Sequence, residues 1–135
     1  MPVLQDIVVA IRSDGDIVSA RQQGRSLAAA IGFGVTDATL IATAISELAR
    51  NIVLYAGRGE VLIHSVEISH RKGIVIVARD SGPGIRSIDD VLRDGYSTSG
   101  GLGLGLPGVK RLMDEFAIES ELGQGTLVTV KMWLK

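Results

Sequence analysis

The chain has 135 residues, 46% hydrophobic and 21% charged, with 14 basic against 15 acidic side chains and a net charge of −1. That balance suits one globular domain over 1–135 and leaves no basic excess of the kind that phosphate neutralisation on nucleic acid needs. The sequence has no cysteine, which excludes disulfide frameworks, thiolate zinc sites and thiol nucleophiles together.

Residues 3–12 are rich in Val and Ile and predict a strand, closed by the turn cluster Ser13-Asp14-Gly15-Asp16. Asp14 or Asp16 then caps a helix in which Ile17, Ala20, Leu27, Ala28 and Ile31 keep helical spacing up to a stop at Gly32. Gly24 inside it costs about 1 kcal/mol against Ala and marks a place of close packing. A second helix is predicted from Thr36 or Asp37 to about Ala56, with Ile41, Ile45, Leu48, Ile52 and Tyr55 forming one apolar stripe. Glu47 and Asn51 are four apart and share a direction along its border. Two strands follow, 60–69 and 73–79, joined by a turn over His70, Arg71, Lys72 and Gly73. The second is apolar throughout, as in a central strand, and delivers Asp80 into Ser81-Gly82-Pro83-Gly84. After a short helical stretch at 88–93, residues 94–106 read as a mobile loop of functional length. Pro107 opens a helix to about Phe116. The strands 117–122 and 126–134 close the chain around the turn Gly123-Gln124-Gly125. This order predicts an α+β two-layer sandwich, with helices on one face of a mixed sheet.

Apolar length and targeting signals point the same way. Residues 40–49 are the longest candidate run and already carry Glu47, short of the 18 or so residues that span a bilayer. The first residues lack the basic flank and apolar run of a signal peptide. The expectation is a soluble cytoplasmic protein without nucleic-acid or membrane partners.

Ten of the 17 glycines fall in 82–125 and four of them in 101–108, which is clustering and not a repeat. Closely spaced glycines before a helix let the backbone approach a phosphate, and the helix N-terminus stabilises its charge. The run is not a Walker A loop, because Val109-Lys110 stands where Lys-Ser/Thr is required. It fits G-x-G-x-x-G, but the strand that a Rossmann reading requires before it is missing. A plain surface loop is the alternative. A carboxylate such as Glu47 can orient or deprotonate an attacking hydroxyl, and an Asn oxygen such as that of Asn51 can ligate Mg²⁺, although Glu-x-x-x-Asn is also common on solvated helix faces. Asp80 is either a turn former or a carboxylate aimed into a pocket to accept an exocyclic amine.

Together, Glu47-Leu-Ala-Arg-Asn51, Asp80-Ser-Gly-Pro-Gly84, Gly101-Leu-Gly-Leu-Gly105 and Gly123-Gln-Gly-Thr126 resemble, in order, the N box and three glycine boxes of the GHKL ATPase/kinase superfamily. The predicted element order is similar to its Bergerat fold. Within it the chain resembles the stand-alone bacterial serine/threonine-protein kinases that regulate sigma factors, stressosome switch kinases among them. The resemblance implies that Asp80 binds the adenine amino group, with Gly82, Gly84 and Thr126 at the base pocket. It implies Asn51 as the ligand of Mg²⁺ on ATP, and Gly101, Leu102, Gly103, Leu104 and Gly105 as the phosphate loop of a lid over 94–106. Glu47 is implied as the general base or positioning group for a substrate serine. The implied substrates are STAS-domain proteins of a stress-signalling complex, the stressosome. A downstream phosphatase or other output protein would engage the kinase once released.

Two rival functions are an anti-sigma factor kinase that sequesters a sigma factor and a non-catalytic, nucleotide-gated binding module. The motif gives no place to Arg50, Lys110, Ser97, Thr98 or Ser99. His64 and His70 lie on a strand and in a turn, which argues for surface or structural roles, and Trp133 reads as packing.

Overall fold

The computed structural model describes residues 3–85 and 105–135. In chain order the elements are β1 (Val3–Ile11), α1 (Asp14–Ile31), α2 (Val35–Tyr55), β2 (Gly59–Ile68), β3 (Arg71–Asp80), α3 (Gly105–Leu112), β4 (Glu115–Glu121) and β5 (Gly125–Trp133). The short helix expected at 88–93 and most of the loop at 94–106 lie outside the described residues.

The strands form one sheet in the order β1-β2-β3-β5-β4. The expected mixed sheet is corrected here: all four described pairings are antiparallel. Two of them are hairpins with short turns, which only antiparallel neighbours can use. β3 is the middle strand, as its unbroken apolar run predicts.

Side-chain alternation divides the sheet into two faces. Val9, Ile11, Val61, Ile63, Ile74, Ile76, Val128 and Val130 share the face that packs with α1, α2 and α3 into the main core. Gly24 sits where α1 crosses α2, and a Cβ there would overlap the Ile45 side chain, so its absence is what allows the two helices to close up. The opposite face carries a small cluster of Val66, Val75 and Trp133 with Val77 against it.

Element ends differ from the sequence reading in three instructive ways. The N-cap of α1 is Ser13, and Asp16 instead reaches back to accept the Arg12 backbone N–H at 2.9 Å. α3 stops at Leu112, so Phe116 belongs to β4; helical spacing ran on in the sequence because no Gly or Pro marks the break. The β2–β3 turn lies at Ser69 and His70, with φ 51° and 67°, starting one residue before the expected 70–73.

Candidate functional site

The third strand ends at Asp80, whose register partners are Gly59 on one side and Thr126 on the other. Alternation along β3 turns Asp80 to the helix-covered face. Its Oδ1 accepts the Gly82 N–H at 2.9 Å, an Asx turn that fixes the carboxylate plane. The turn and pocket readings of Asp80 are therefore compatible, since a carboxylate keeps further acceptor capacity on its second oxygen.

The backbone crowds this corner. Gly125 has φ 122° and a Cβ there would overlap the Asp80 carbonyl oxygen; Gly84 has φ 81° and a Cβ would overlap the Glu121 carbonyl oxygen. No other residue type fits either position without moving a strand end. The Gly123 N–H donates to the Pro83 carbonyl at 2.7 Å, so the β4–β5 turn is tied to the segment after β3.

Ser120 completes the tie, and sequence reading did not single it out. Its hydroxyl accepts the Ile85 N–H at 2.7 Å, donates to the Gly125 carbonyl at 3.0 Å and meets Thr126 Oγ1 at 3.0 Å. A hydroxyl has one hydrogen, which here goes to Gly125, so Thr126 must be the donor in the last contact. Thr126 Oγ1 thus keeps its lone pairs as acceptors beside the acceptor Asp80. The available signal was a serine at an inward-facing position of β4, after Phe116 and Ile118. A cavity of about 600 Å³ at this end touches Asp80, Ser120 and Thr126, but Arg79, Glu119 and Leu127 in its lining belong to the opposite sheet face. It wraps the strand ends and takes in residues of both sheet faces.

The second helix supplies the remaining described groups. Ala56, just past its end, lies against the position of Gly82. Counting back at 1.5 Å per residue, Asn51 lies about 7.5 Å and Glu47 about 13.5 Å along the axis from Ala56. Base-corner, amide and carboxylate are thus strung along one helix in that order. Glu47 is 5% exposed, which removes the solvated-face reading. Its Oε2 has no hydrogen-bond partner among the described residues, and Arg50 Nη1 stands 3.9 Å from Oε1. α3, which packs on α2, opens at Gly105 with φ 65° and is pinned by buried Leu106 and Val109. The expected phosphate-loop residues Gly101, Leu102, Gly103 and Leu104, and Ser97, Thr98 and Ser99, lie outside the described residues. Lys110 is exposed on α3. His64 faces Asp6 at 3.3 Å on the sheet face away from this corner.

Comparison with known proteins now adds to this geometry. Residues 36–135 match the family model for histidine kinase-, DNA gyrase B- and HSP90-like ATPases. The chain belongs to that ATPase family, and ATP use comes with it. It is 56% identical over 127 residues, 94% of this chain and 96% of the other, to the serine/threonine-protein kinase RsbT of Bacillus subtilis. Identity at that level over nearly the whole of both chains makes this chain a protein serine/threonine kinase. It is also 32% identical over 104 residues to the anti-sigma F factor of Geobacillus thermodenitrificans, covering 72% of this chain and 70% of that one. Among solved structures, the RsbU and RsbW domains of Rv1364c from Mycobacterium tuberculosis match at a TM-score of 0.63 and 20% identity, which shows the fold. That match covers 100% of this chain and 34% of the other. No helix among the described residues is long and apolar enough to cross a membrane.

Proposed function

We propose that the chain transfers the γ-phosphoryl group of ATP, with Mg²⁺, to a serine or threonine of a STAS-domain stressosome protein. After that transfer it leaves the complex to engage a downstream phosphatase or other output protein. The observation that carries this reading is the buried Glu47 carboxylate with an unpartnered Oε2, two helical turns and a half from a glycine-crowded acceptor corner. A carboxylate oxygen hidden from water without a hydrogen bond is costly to keep, which is understandable where a reacting group completes it.

In this reading Asp80 and Thr126 take the adenine amino edge, directly or through water, with Gly82 and Gly84 allowing the base to approach the backbone. Asn51 supplies an amide oxygen of the kind Mg²⁺ prefers, and the donor set of one oxygen ligand plus phosphates suits that ion. Bound Mg²⁺ would offset charge on the phosphates. Gly105 and the start of α3, with the preceding residues 101–104, give backbone donors to the phosphates. Glu47 accepts the proton of the substrate hydroxyl as its oxygen bonds to the γ-phosphorus and the bond to the β-phosphate oxygen breaks, leaving ADP.

The second reading is an anti-sigma factor kinase, favoured by the similarity to an anti-sigma F factor. Incubation with γ-labelled ATP, Mg²⁺ and a recombinant STAS-domain protein decides between them. Label on serine or threonine of that protein, without a tight complex with sigma subunits in a titration, is the expected result. Glu47→Gln should keep nucleotide binding and lose transfer by roughly 10²- to 10⁴-fold, and Asp80→Asn should lose binding. Nucleotide binding with no transfer to any STAS partner would leave only a nucleotide-gated binding module for these substrates, and a sigma complex would favour the second reading.

A further inference from the structure

The Glu47 carboxylate is a buried charge whose described surroundings contain one cation, and that cation comes from its own helix. Arg50 lies three residues on, a spacing that brings side chains together on a helix surface. Its side chain is 36% exposed where that of Glu47 is 7% exposed, so the pair joins a solvent-accessible guanidinium to a buried carboxylate. At 3.9 Å from Nη1 to Oε1 the contact is a charge attraction and is too long for a hydrogen bond. Attraction without proton donation from Arg50 holds the carboxylate in place while leaving the Oε2 lone pairs unspent. Oε2, the oxygen without a partner, is then the one turned to a reacting hydroxyl.

We infer that Arg50 is a positioning residue for phosphoryl transfer, steadying Glu47 through Oε1 so that Oε2 can accept the substrate proton. The inference rests on the reading of Glu47 as that acceptor. A guanidinium held by Glu47 has a different task from one clamping the transferred phosphate, and the two separate in kinetics. A group that acts through Glu47 changes kcat, whereas one that binds phosphate changes nucleotide affinity as well.

The experiment is a double-mutant cycle with Arg50→Met, Arg50→Lys, Glu47→Gln and Glu47→Gln/Arg50→Met. Nucleotide affinity is measured with ADP and Mg²⁺, and kcat with γ-labelled ATP and a recombinant STAS-domain protein. R50M should leave ADP affinity within about twofold and lower kcat roughly 10- to 100-fold, the scale of a misplaced catalytic group. R50K, which restores the charge, should recover most of that loss, a rescue that loss of fold would not show. In the Glu47→Gln background R50M should add nothing further. Unchanged kcat in R50M, a loss confined to ADP affinity, or an R50M loss that persists undiminished beside Glu47→Gln would each overturn the inference. If Glu47→Gln itself kept full kcat, the acceptor reading would fail first, and the two failures are told apart by that single variant.

Discussion

At one end of the sheet Asp80, Gly125, Thr126 and Ser120 meet in a corner built from backbone crowding and hydroxyls. At the other end Trp133 lies under Arg71, whose guanidinium carbon is 4.7 Å from the ring centroid. There the indole N–H donates to Glu115 Oε2 at 2.6 Å and the Trp133 backbone N–H to Asp114 Oδ2 at 2.8 Å. Gly73, opposite Trp133 in the register, leaves the ring room that a Cβ would take. The first end spends its polar groups on shape and keeps acceptors available; the second spends Asp114, Glu115 and Arg71 on holding Trp133. The contrast teaches that one sheet can divide its tasks, with strand-holding side-chain bonds gathered at one end and a corner shaped by close backbone contacts and free acceptors at the other.

The largest expected effect of breaking this contrast falls at the braced end. Trp133→Ala removes a large buried ring and leaves Glu115 Oε2 without its indole donor, and should cost about 3–5 kcal/mol. Thermal unfolding followed by circular dichroism checks it. Nucleotide affinity measured well below the new midpoint should stay at its original value, since no atom of the acceptor corner touches the indole. A large loss of affinity in the folded variant would mean that the two ends are not separate.

Ser120→Ala should act at the other end and more weakly. It leaves the half-buried Ile85 N–H without its acceptor, which costs about 1–3 kcal/mol. It also frees the Thr126 hydroxyl to turn, so ADP affinity should fall along with the melting point, and by a larger share than in Trp133→Ala. Calorimetric titration beside a melting curve reads both. Lower stability with full affinity would show that Ser120 only staples strands.

How legible this was in the sequence depended on whether a feature is local. The strand and helix order, the central placement of β3 and the Gly24 crossing were readable, because period and glycine placement are properties of neighbouring residues. Asp80 was readable as the end of an apolar strand, and Glu47 with Asn51 as a shared helix direction. The burial of Glu47 was not, since a carboxylate bordering an apolar stripe is buried or solvated according to what the tertiary fold brings against it. Ser120 and the Glu115–Trp133 bond were hidden for a related reason, being set by β4–β5 register. The antiparallel β3–β5 pairing depended on β5 inserting between β3 and β4, which no local pattern records.

The smallest effect comes from the turn that sequence reading displaced. Ser69 and His70 join β2 to β3 in the left-handed region, with φ 51° and 67°, where a two-residue hairpin favours Asn-Gly. A side chain there costs about 1–2 kcal/mol over glycine. Glycine in turn loses more freedom on folding, roughly 0.5–1 kcal/mol, so His70→Gly should gain about 0.5–1 kcal/mol, a rise of a few degrees in the melting midpoint. Because His70 is exposed and sits at the braced end, kinase turnover and ADP affinity should not change. A melting point that fell would show that the imidazole does work at this turn. Unchanged stability would mean that the hairpin already relaxes its strain, and the brace at Trp133 would then account for this end alone.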